Sequence, residues 1–110
     1  MQSSNFKRGL KDARPGAPMA KVTFTRNLYR FFPTLPKGGV EIEAATIGEL
    51  VARLDESYVG IGSYLRDEAG QARKHVAIYV DEELIRDRVG LTDSLSAASA
   101  VFVAQALSGG

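Results

Sequence analysis

The sequence predicts an α+β fold in which one main helix packs on one face of a mixed sheet of four to five strands. Segments that alternate between apolar and polar residues, as half-buried strands do, lie on both sides of an amphipathic segment at residues 46–58. In addition, residues 101–107 are almost continuously apolar, which is typical of a strand at the centre of a sheet or against a partner. The length of 110 residues suits one domain rather than two.

The chain begins with a segment that predicts no regular structure. Residues 1–18 are mostly polar and basic and end in a run that contains two prolines, so we expect a disordered basic extension followed by one domain over residues 19–110. The extension carries a net charge of +3, whereas the remainder carries −2. A mildly acidic body does not favour nucleic acid as a partner.

Two strands are predicted before the helix. Residues 21–25 alternate between polar and apolar side chains, and residues 40–44 do the same. The pair Gly38-Gly39 predicts a turn into the second strand. The aromatic segment at residues 27–37 is expected to fold back over the edge of the core.

The clearest local signal is the helix start at Thr46-Ile47-Gly48-Glu49. This motif is a capping box, in which the Thr46 side chain caps the helix and the Glu49 side chain reaches back to the backbone N–H of Thr46. Glycines at 60 and 62 are expected to end the helix. Apolar residues recur between these signals at helical spacing: Ile47, Leu50, Val51, Leu54 and Tyr58.

The second half of the chain predicts two more strands. Residues 63–71 are expected to form a short helical turn and a loop, and the alternating residues 74–80 to form the third strand. Asp81-Glu82-Glu83 starts a turn, and residues 84–95 are expected to form an irregular crossover. The last strand, residues 101–107, then leads into a free carboxy terminus. With a central last strand, the economical arrangement is a β-grasp, or ubiquitin-like, fold.

The composition excludes several classes of site. The chain has no cysteine, which excludes disulfides, thiolate metal sites and cysteine nucleophiles, and a single histidine, which excludes a multi-histidine metal site. No apolar run is long enough for a membrane-spanning helix, and the first eighteen residues lack the apolar region of a secretory signal. We therefore expect a cytoplasmic protein with no membrane partner.

Side-chain candidates for chemistry are weak. Asp81-Glu82-Glu83 has no further cation ligands near it in the sequence and is interpreted as a solvated turn. His75 beside Lys74 is interpreted as an exposed histidine. The segment 60–62, Gly-Ile-Gly, lacks the third glycine of a dinucleotide-binding loop. The sequence therefore predicts no catalytic residue, no metal and no bound cofactor.

The carboxy-terminal Gly109-Gly110 is the strongest functional candidate. Residues without side chains let a backbone enter a channel too narrow for a Cβ atom. Counted from Gln105, six extended residues reach about 20 Å, enough to enter a neighbouring protein. A terminal Gly-Gly on its own is also compatible with a chance ending, and its position directly after a central strand favours a function.

Taken together, these segments resemble the ubiquitin-like sulfur carriers of the ThiS/MoaD family, which serve molybdopterin, thiamin and cysteine biosynthesis. The resemblance covers residues 20–110, and the run at residues 58–81 is most similar to the cysteine-biosynthesis branch. The segments that carry it are Val22-Thr23-Phe24, Thr46-Ile47-Gly48-Glu49-Leu50, Leu54 to Tyr58, Gly60-Ile61, Val76-Ala77-Ile78-Tyr79-Val80-Asp81, Gly90-Leu91 and Val101 to Gly110.

The resemblance implies a β-grasp protein that is acted on by enzymes and is not itself an enzyme. Gly110 would be adenylated by an E1-like enzyme, which supplies the ATP site, and then converted to a thiocarboxylate. A sulfur-accepting synthase would take the sulfur from it. Phe102 would help to dock the body on the partner. The residues expected in the partner's channel are Ala106, Leu107, Ser108 and Gly109.

Two departures and three alternatives accompany this resemblance. Ala97-Ala98-Ser99-Ala100 stands where the family has a Gly-Asp turn and an acidic residue, and Ser108 stands where alanine is common. The same terminus would also suit a ubiquitin-like modifier conjugated to lysines, or the small subunit of molybdopterin synthase. A β-grasp interaction module with an incidental Gly-Gly is the third alternative.

Overall fold

The computed structural model describes residues 17–105, which form a five-stranded mixed sheet and three helices. The predictions for residues 1–16 and 106–110 lie outside the described residues. The elements in chain order are β1 (Met19–Phe24), α1 (Arg26–Phe31), β2 (Val40–Glu43), α2 (Ile47–Ser57), α3 (Ile61–Leu65), β3 (Val76–Val80), β4 (Glu83–Leu84) and β5 (Ala100–Gln105).

The sheet has the strand order β2-β1-β5-β3-β4, so the last strand lies at its centre. β5 pairs parallel with β1 and antiparallel with β3, whereas β1–β2 and β3–β4 are antiparallel pairs. This arrangement confirms the predicted β-grasp fold. It also confirms the inference that the apolar last strand is central.

One face of the sheet carries the core. Along β5, Val101 and Val103 are buried, and in β3 the same is true of Val76 and Ile78. The helix α2 supplies the other half of this core, and burial of each large aliphatic side chain stabilises the fold by about 1.5–3 kcal/mol. The buried residues of α2 are Ile47, Leu50, Val51 and Leu54, as the helical spacing predicts.

Both side chains of the predicted capping box bond to backbone N–H groups at the start of α2. The Glu49 backbone N–H donates to Thr46 Oγ1 at 3.2 Å, and Glu49 Oε1 accepts from the N–H of Ala45 at 2.9 Å. The helix ends at Ser57, and Gly60 then adopts a left-handed backbone with φ of 103° to start α3. The Thr46 cap and the predicted start of the main helix are therefore confirmed, whereas Glu49 accepts from Ala45, one residue before the partner that we expected.

Two elements differ from the sequence-based expectation. Residues 26–31 form the helix α1, where we expected only a segment folded over the core edge; Thr25 makes no side-chain cap bond, and the fully buried Leu28 ties the helix to the core. Glu83–Leu84 forms the short strand β4, where we expected an irregular crossover from residue 84. Both elements depend on tertiary contacts rather than on a local signal.

The turn before β5 holds an alanine in the left-handed region of the backbone, which glycine usually occupies. Ala98 has a φ of 66°, and its N–H donates to the carbonyl of Met19 at 3.2 Å. The buried Ser99 side chain accepts a hydrogen bond from the N–H of Ser96 at 2.9 Å. Side-chain and backbone hydrogen bonds thus hold this turn in a conformation that alanine adopts at a cost.

The turn before β2 gives a matched pair of glycine substitutions. Gly39 has a φ of 105°, and a Cβ there would lie 2.8 Å from the backbone oxygen of Val22, whereas a Cβ at Gly38 would meet nothing within 4 Å. We expect Gly39→Ala to lower the free energy of unfolding by about 2 kcal/mol, because the backbone would be strained and crowded. Gly38→Ala is expected to leave it unchanged or to raise it by about 0.5 kcal/mol. Chemical denaturation of both variants measures the difference, and equal values would contradict the described turn.

Candidate functional site

The face of the sheet opposite α2 is not covered by any element among residues 17–105. Phe102 lies at its centre with 38% of its surface exposed, while its neighbours Val101 and Val103 point into the core. The register places Thr23, Phe102 and Tyr79 side by side across three strands. Phe102 is therefore accessible to a partner, and its docking role stays a prediction.

Around Phe102 the uncovered face is apolar. The rings of Tyr79 and Phe102 pack with centroids 6.3 Å apart, and Leu84, which pairs with Tyr79, is 52% exposed. A shallow groove of about 400 Å³ runs along the row of Thr23, Phe102 and Tyr79. Its lining residues are Thr23, Tyr79, Glu82, Ala100, Val101, Phe102 and Ala104. This apolar row is the candidate docking surface of the described part of the chain.

Gln105, the last described residue, is held by three hydrogen bonds. Its side-chain Oε1 accepts from Asn27 Nδ2 and from the Tyr64 hydroxyl, both at 2.8 Å. Its backbone N–H donates to Thr25 Oγ1 at 3.2 Å. These partners come from two parts of the fold, the start of α1 and the helix α3, so the end of β5 is fixed in position and direction. We call Thr25, Asn27, Tyr64 and Gln105 the tail anchor.

Sequence reasoning missed the tail anchor. Asn27 and Tyr64 lie 78 and 41 residues from Gln105 in the sequence, and no spacing rule joins positions so far apart. One signal was available: Gln105 is a polar side chain in an otherwise apolar strand. A partly buried amide requires hydrogen-bond partners, which indicates that such partners exist without identifying them.

The predicted attachment and channel residues lie outside the described residues, namely Ala106, Leu107, Ser108, Gly109 and Gly110. Geometry limits their range, since five extended residues span at most about 17 Å from Gln105. The chain length from Gln105 to Gly110 therefore limits the Gly110 carboxylate to that radius from the tail anchor. Its role as the attachment site stays a prediction.

The acidic turn at the other end of the sheet has a structural role. Asp81 and Glu82 have φ values of 50° and 74°, as a two-residue β3–β4 hairpin requires. Asp81 Oδ1 accepts a hydrogen bond from the N–H of Ala100 at 3.0 Å. Within residues 17–105, no group of three or more histidine or acidic side chains is arranged to hold a metal ion.

The one resolved pKa shift among the described residues lies in the loop after β4. The Thr92 hydroxyl donates to Asp87 at 2.6 Å, and this bond, with a second from the N–H of Gly90, lowers the pKa of Asp87 to about 2. Asp87 also accepts from the N–H of Val89 and so organises its loop.

His75 is exposed, as predicted, and its ring packs edge-on against the ring of Tyr64 with centroids 6.4 Å apart. No helix in the described part of the chain is long and apolar enough to cross a membrane.

Comparison with known families decides the family. The model of the ThiS family matches residues 34–110, from the loop before β2 to the last residue. This chain belongs to the ThiS family. The match confirms the resemblance to ubiquitin-like sulfur carriers, which are not themselves enzymes. No curated protein matches the sequence.

Solved structures agree with this ThiS-family fold. CysO of Mycobacterium tuberculosis superposes with a TM-score of 0.69 at 26% identity, over 80% of this chain and 99% of that chain. CysO of Amycolatopsis orientalis, in a complex with BexX, gives 0.70 at 23% identity over 83% and 99%. Small archaeal modifier protein 1 of Methanosarcina acetivorans gives 0.70 at 16% identity over 87% and 100%, a likeness of fold alone.

Proposed function

We propose that this ThiS-family chain is a sulfur carrier protein that holds sulfur on the carboxylate of Gly110. The observation that carries the proposal is the family match, which extends through the terminal Gly109-Gly110. The geometry supports it, because the central strand β5 ends at the fixed Gln105, and only three residues separate Gln105 from Gly109 in the sequence. An uncovered apolar face beside that strand offers a partner a place to dock.

The chemistry requires a partner enzyme that uses ATP. An oxygen of the Gly110 carboxylate attacks the α-phosphorus of ATP, and pyrophosphate leaves, which gives an acyl-adenylate. Hydrosulfide then attacks the acyl carbon, and AMP leaves with the bridging oxygen, which gives the thiocarboxylate. The carboxylate alone is a poor acyl donor because it has no good leaving group. In the acyl-adenylate, AMP is that leaving group.

In this proposal the body and the tail have different tasks. The apolar face around Phe102 binds an E1-like adenylating enzyme, while Ala106, Leu107, Ser108 and Gly109 lie extended in its channel. Residues 108–110 are all small, so their backbone fits where larger side chains would collide. A sulfur-accepting synthase then takes the sulfur in cofactor or cysteine biosynthesis, in the cytoplasm.

The likeness to CysO supports the cysteine-biosynthesis branch as the first pathway to test. The crystallised complex of another CysO with BexX supports a protein as the binding partner. A modifier that is conjugated to lysines would use the same activated carboxylate, and its product would be an isopeptide bond. The small subunit of molybdopterin synthase would instead copurify with a large subunit.

Intact-mass spectrometry tests the proposal. The full chain is incubated with the E1-like enzyme of its source organism, ATP and sulfide, and we expect the mass to rise by the difference between sulfur and oxygen. Reactions without ATP, and a variant that lacks Gly110, are expected to show no such rise. An unchanged wild-type mass would overturn the carrier proposal, and conjugates in cell lysate that disappear on deletion of Gly110 would favour the modifier.

A further inference from the structure

A second groove lies beside the tail anchor, between the end of β1, α1 and the loop that leads to β2. Its volume is about 650 Å³, and three of its lining side chains are cations. We call it the basic groove. Its lining residues are Thr23, Phe24, Arg26, Tyr29, Arg30 and Lys37.

The three cations of the basic groove have no carboxylate partner within residues 17–105. Arg26, Arg30 and Lys37 are exposed, and none of them takes part in an ion pair or a side-chain hydrogen bond there. Arg26 and Arg30 are four residues apart on α1, so their side chains are neighbours and repel each other. A bound anion would relieve this repulsion.

This positive charge stands apart from the charge of the rest of the domain. Residues 19–110 carry a net charge of −2, and the acidic Asp81, Glu82 and Glu83 lie at the start of β5, at the opposite end of the sheet from Gln105. The basic groove therefore lies at the tail end of the sheet, beyond apolar Phe102, and the acidic turn lies at the far end. Complementary charge of this kind determines the orientation of a partner and its association rate.

The basic groove has an ordered wall. The rings of Phe24 and Tyr29 meet edge to face with centroids 5.8 Å apart, and the Tyr29 hydroxyl donates to the backbone oxygen of Lys37 at 3.3 Å. These contacts hold the loop that carries Lys37 against α1. The groove thus combines an aromatic wall with charged rims, which suits an acidic peptide segment.

The position of the groove identifies which partner would reach it. Thr23 lines both this groove and the apolar groove of Phe102, and Thr25, two residues on, accepts the N–H of Gln105. A protein that covers Phe102 and receives the tail therefore also covers the basic groove. The acidic body would repel a nucleic acid over any wider footprint, which favours a protein segment.

We infer that the basic groove binds an acidic segment of the adenylating partner, next to the mouth of the channel that receives the tail. The inference rests on the proposed function, and it adds a charge requirement to the partner's surface. Carboxylates of that segment pair with Arg26, Arg30 and Lys37 as the tail enters. The pairing lies outside the chemistry at Gly110, so it acts on binding and leaves the adenylation step itself unchanged.

Charge reversal tests the groove. In an ATP–pyrophosphate exchange assay, we expect Arg26→Glu/Arg30→Glu to raise KM for the carrier about tenfold with kcat unchanged, and to abolish the increase of KM with salt. Arg86→Glu, which lies at the acidic end of the sheet, is the control and is expected to change KM less than about twofold. Arg26→Lys/Arg30→Lys keeps the charge and is expected to stay near the wild-type KM.

The KM values of the groove variant and of its control either support the inference or overturn it. An unchanged KM in the groove variant, or an equal rise in the Arg86→Glu control, would overturn the inference. Failure of the proposed function is recognised separately, because the wild-type chain would then show no exchange at all. In that case NMR titration of the isotope-labelled full chain with a short polyglutamate peptide still tests the groove: shifts at Arg26, Tyr29 and Arg30 support it, and stronger binding of a single-stranded DNA of equal charge contradicts it.

Discussion

Replacing Phe102 with alanine is expected to weaken binding to the adenylating partner about 30-fold and to change the fold little. The side chain is 38% exposed and lies at the centre of the uncovered face. Central aromatic residues in an interface typically contribute 2 kcal/mol or more to binding, which corresponds to a factor of about 30 in Kd. Loss of the contact with Tyr79 is expected to lower the free energy of unfolding by about 1 kcal/mol or less.

The matched control is the next residue of the same strand. Val103 is fully buried against the core, so Val103→Ala removes packing and leaves the docking face intact. We expect it to lower the free energy of unfolding by about 2 kcal/mol, through lost burial and a small cavity, with Kd nearly unchanged at a temperature where the protein is folded. Calorimetric titration against the partner and chemical denaturation measure the two quantities.

The opposite pattern would place the partner elsewhere. If Phe102→Ala left Kd unchanged while Val103→Ala raised it, the uncovered face would not be the docking surface. If both variants weakened binding in proportion to their loss of stability, Phe102 would have only a structural role. The two substitutions separate these cases because adjacent residues of one strand point to opposite faces.

Local signals in the sequence were enough to predict the main elements. The Thr46 side chain caps the N–H of Glu49, three residues later, so four consecutive residues are enough to predict the start of α2. The apolar run of β5 predicts a central strand because only a strand between two others can use so little polar surface. Together with the order of two strands, one helix and two strands, these two signals led to the β-grasp fold by pattern and analogy.

Other features depend on contacts that no local rule contains. The helix α1 has six residues and no side-chain cap, and it forms because Leu28 is buried. β4 has two residues and exists only through its pairing with Tyr79 and Val80. The tail anchor joins residues 25–27 to Tyr64 and Gln105, so its residue types were visible in the sequence and their proximity was not.

Removing the acceptor oxygen of Gln105 is expected to impair the delivery of the tail. Gln105→Met keeps the length of the side chain and loses both hydrogen bonds to its Oε1, from Asn27 and Tyr64. We expect kcat/KM for adenylation to fall about tenfold, because the tail then leaves the sheet in many directions and must be ordered on binding. The measurement is ATP–pyrophosphate exchange with the full chain.

A conservative variant distinguishes positioning from stability. Gln105→Glu keeps an oxygen that accepts from Asn27 and Tyr64, so we expect it to retain most of the wild-type kcat/KM. Tyr64→Phe removes one donor and keeps the ring against Phe32, at a centroid distance of 5.6 Å, so an intermediate value is expected.

Stability measurements distinguish a structural role of Gln105 from a positioning role. A structural role lowers the stability of the protein, whereas a positioning role lowers kcat/KM. Each lost hydrogen bond at a partly buried site costs about 1 kcal/mol, which leaves this domain folded at 25 °C. A structural role would therefore lower the unfolding temperature of Gln105→Met and leave kcat/KM intact. A positioning role lowers kcat/KM even where the protein is fully folded, and faster amide hydrogen exchange at Gln105 would accompany it, since the N–H bond to Thr25 would open more often.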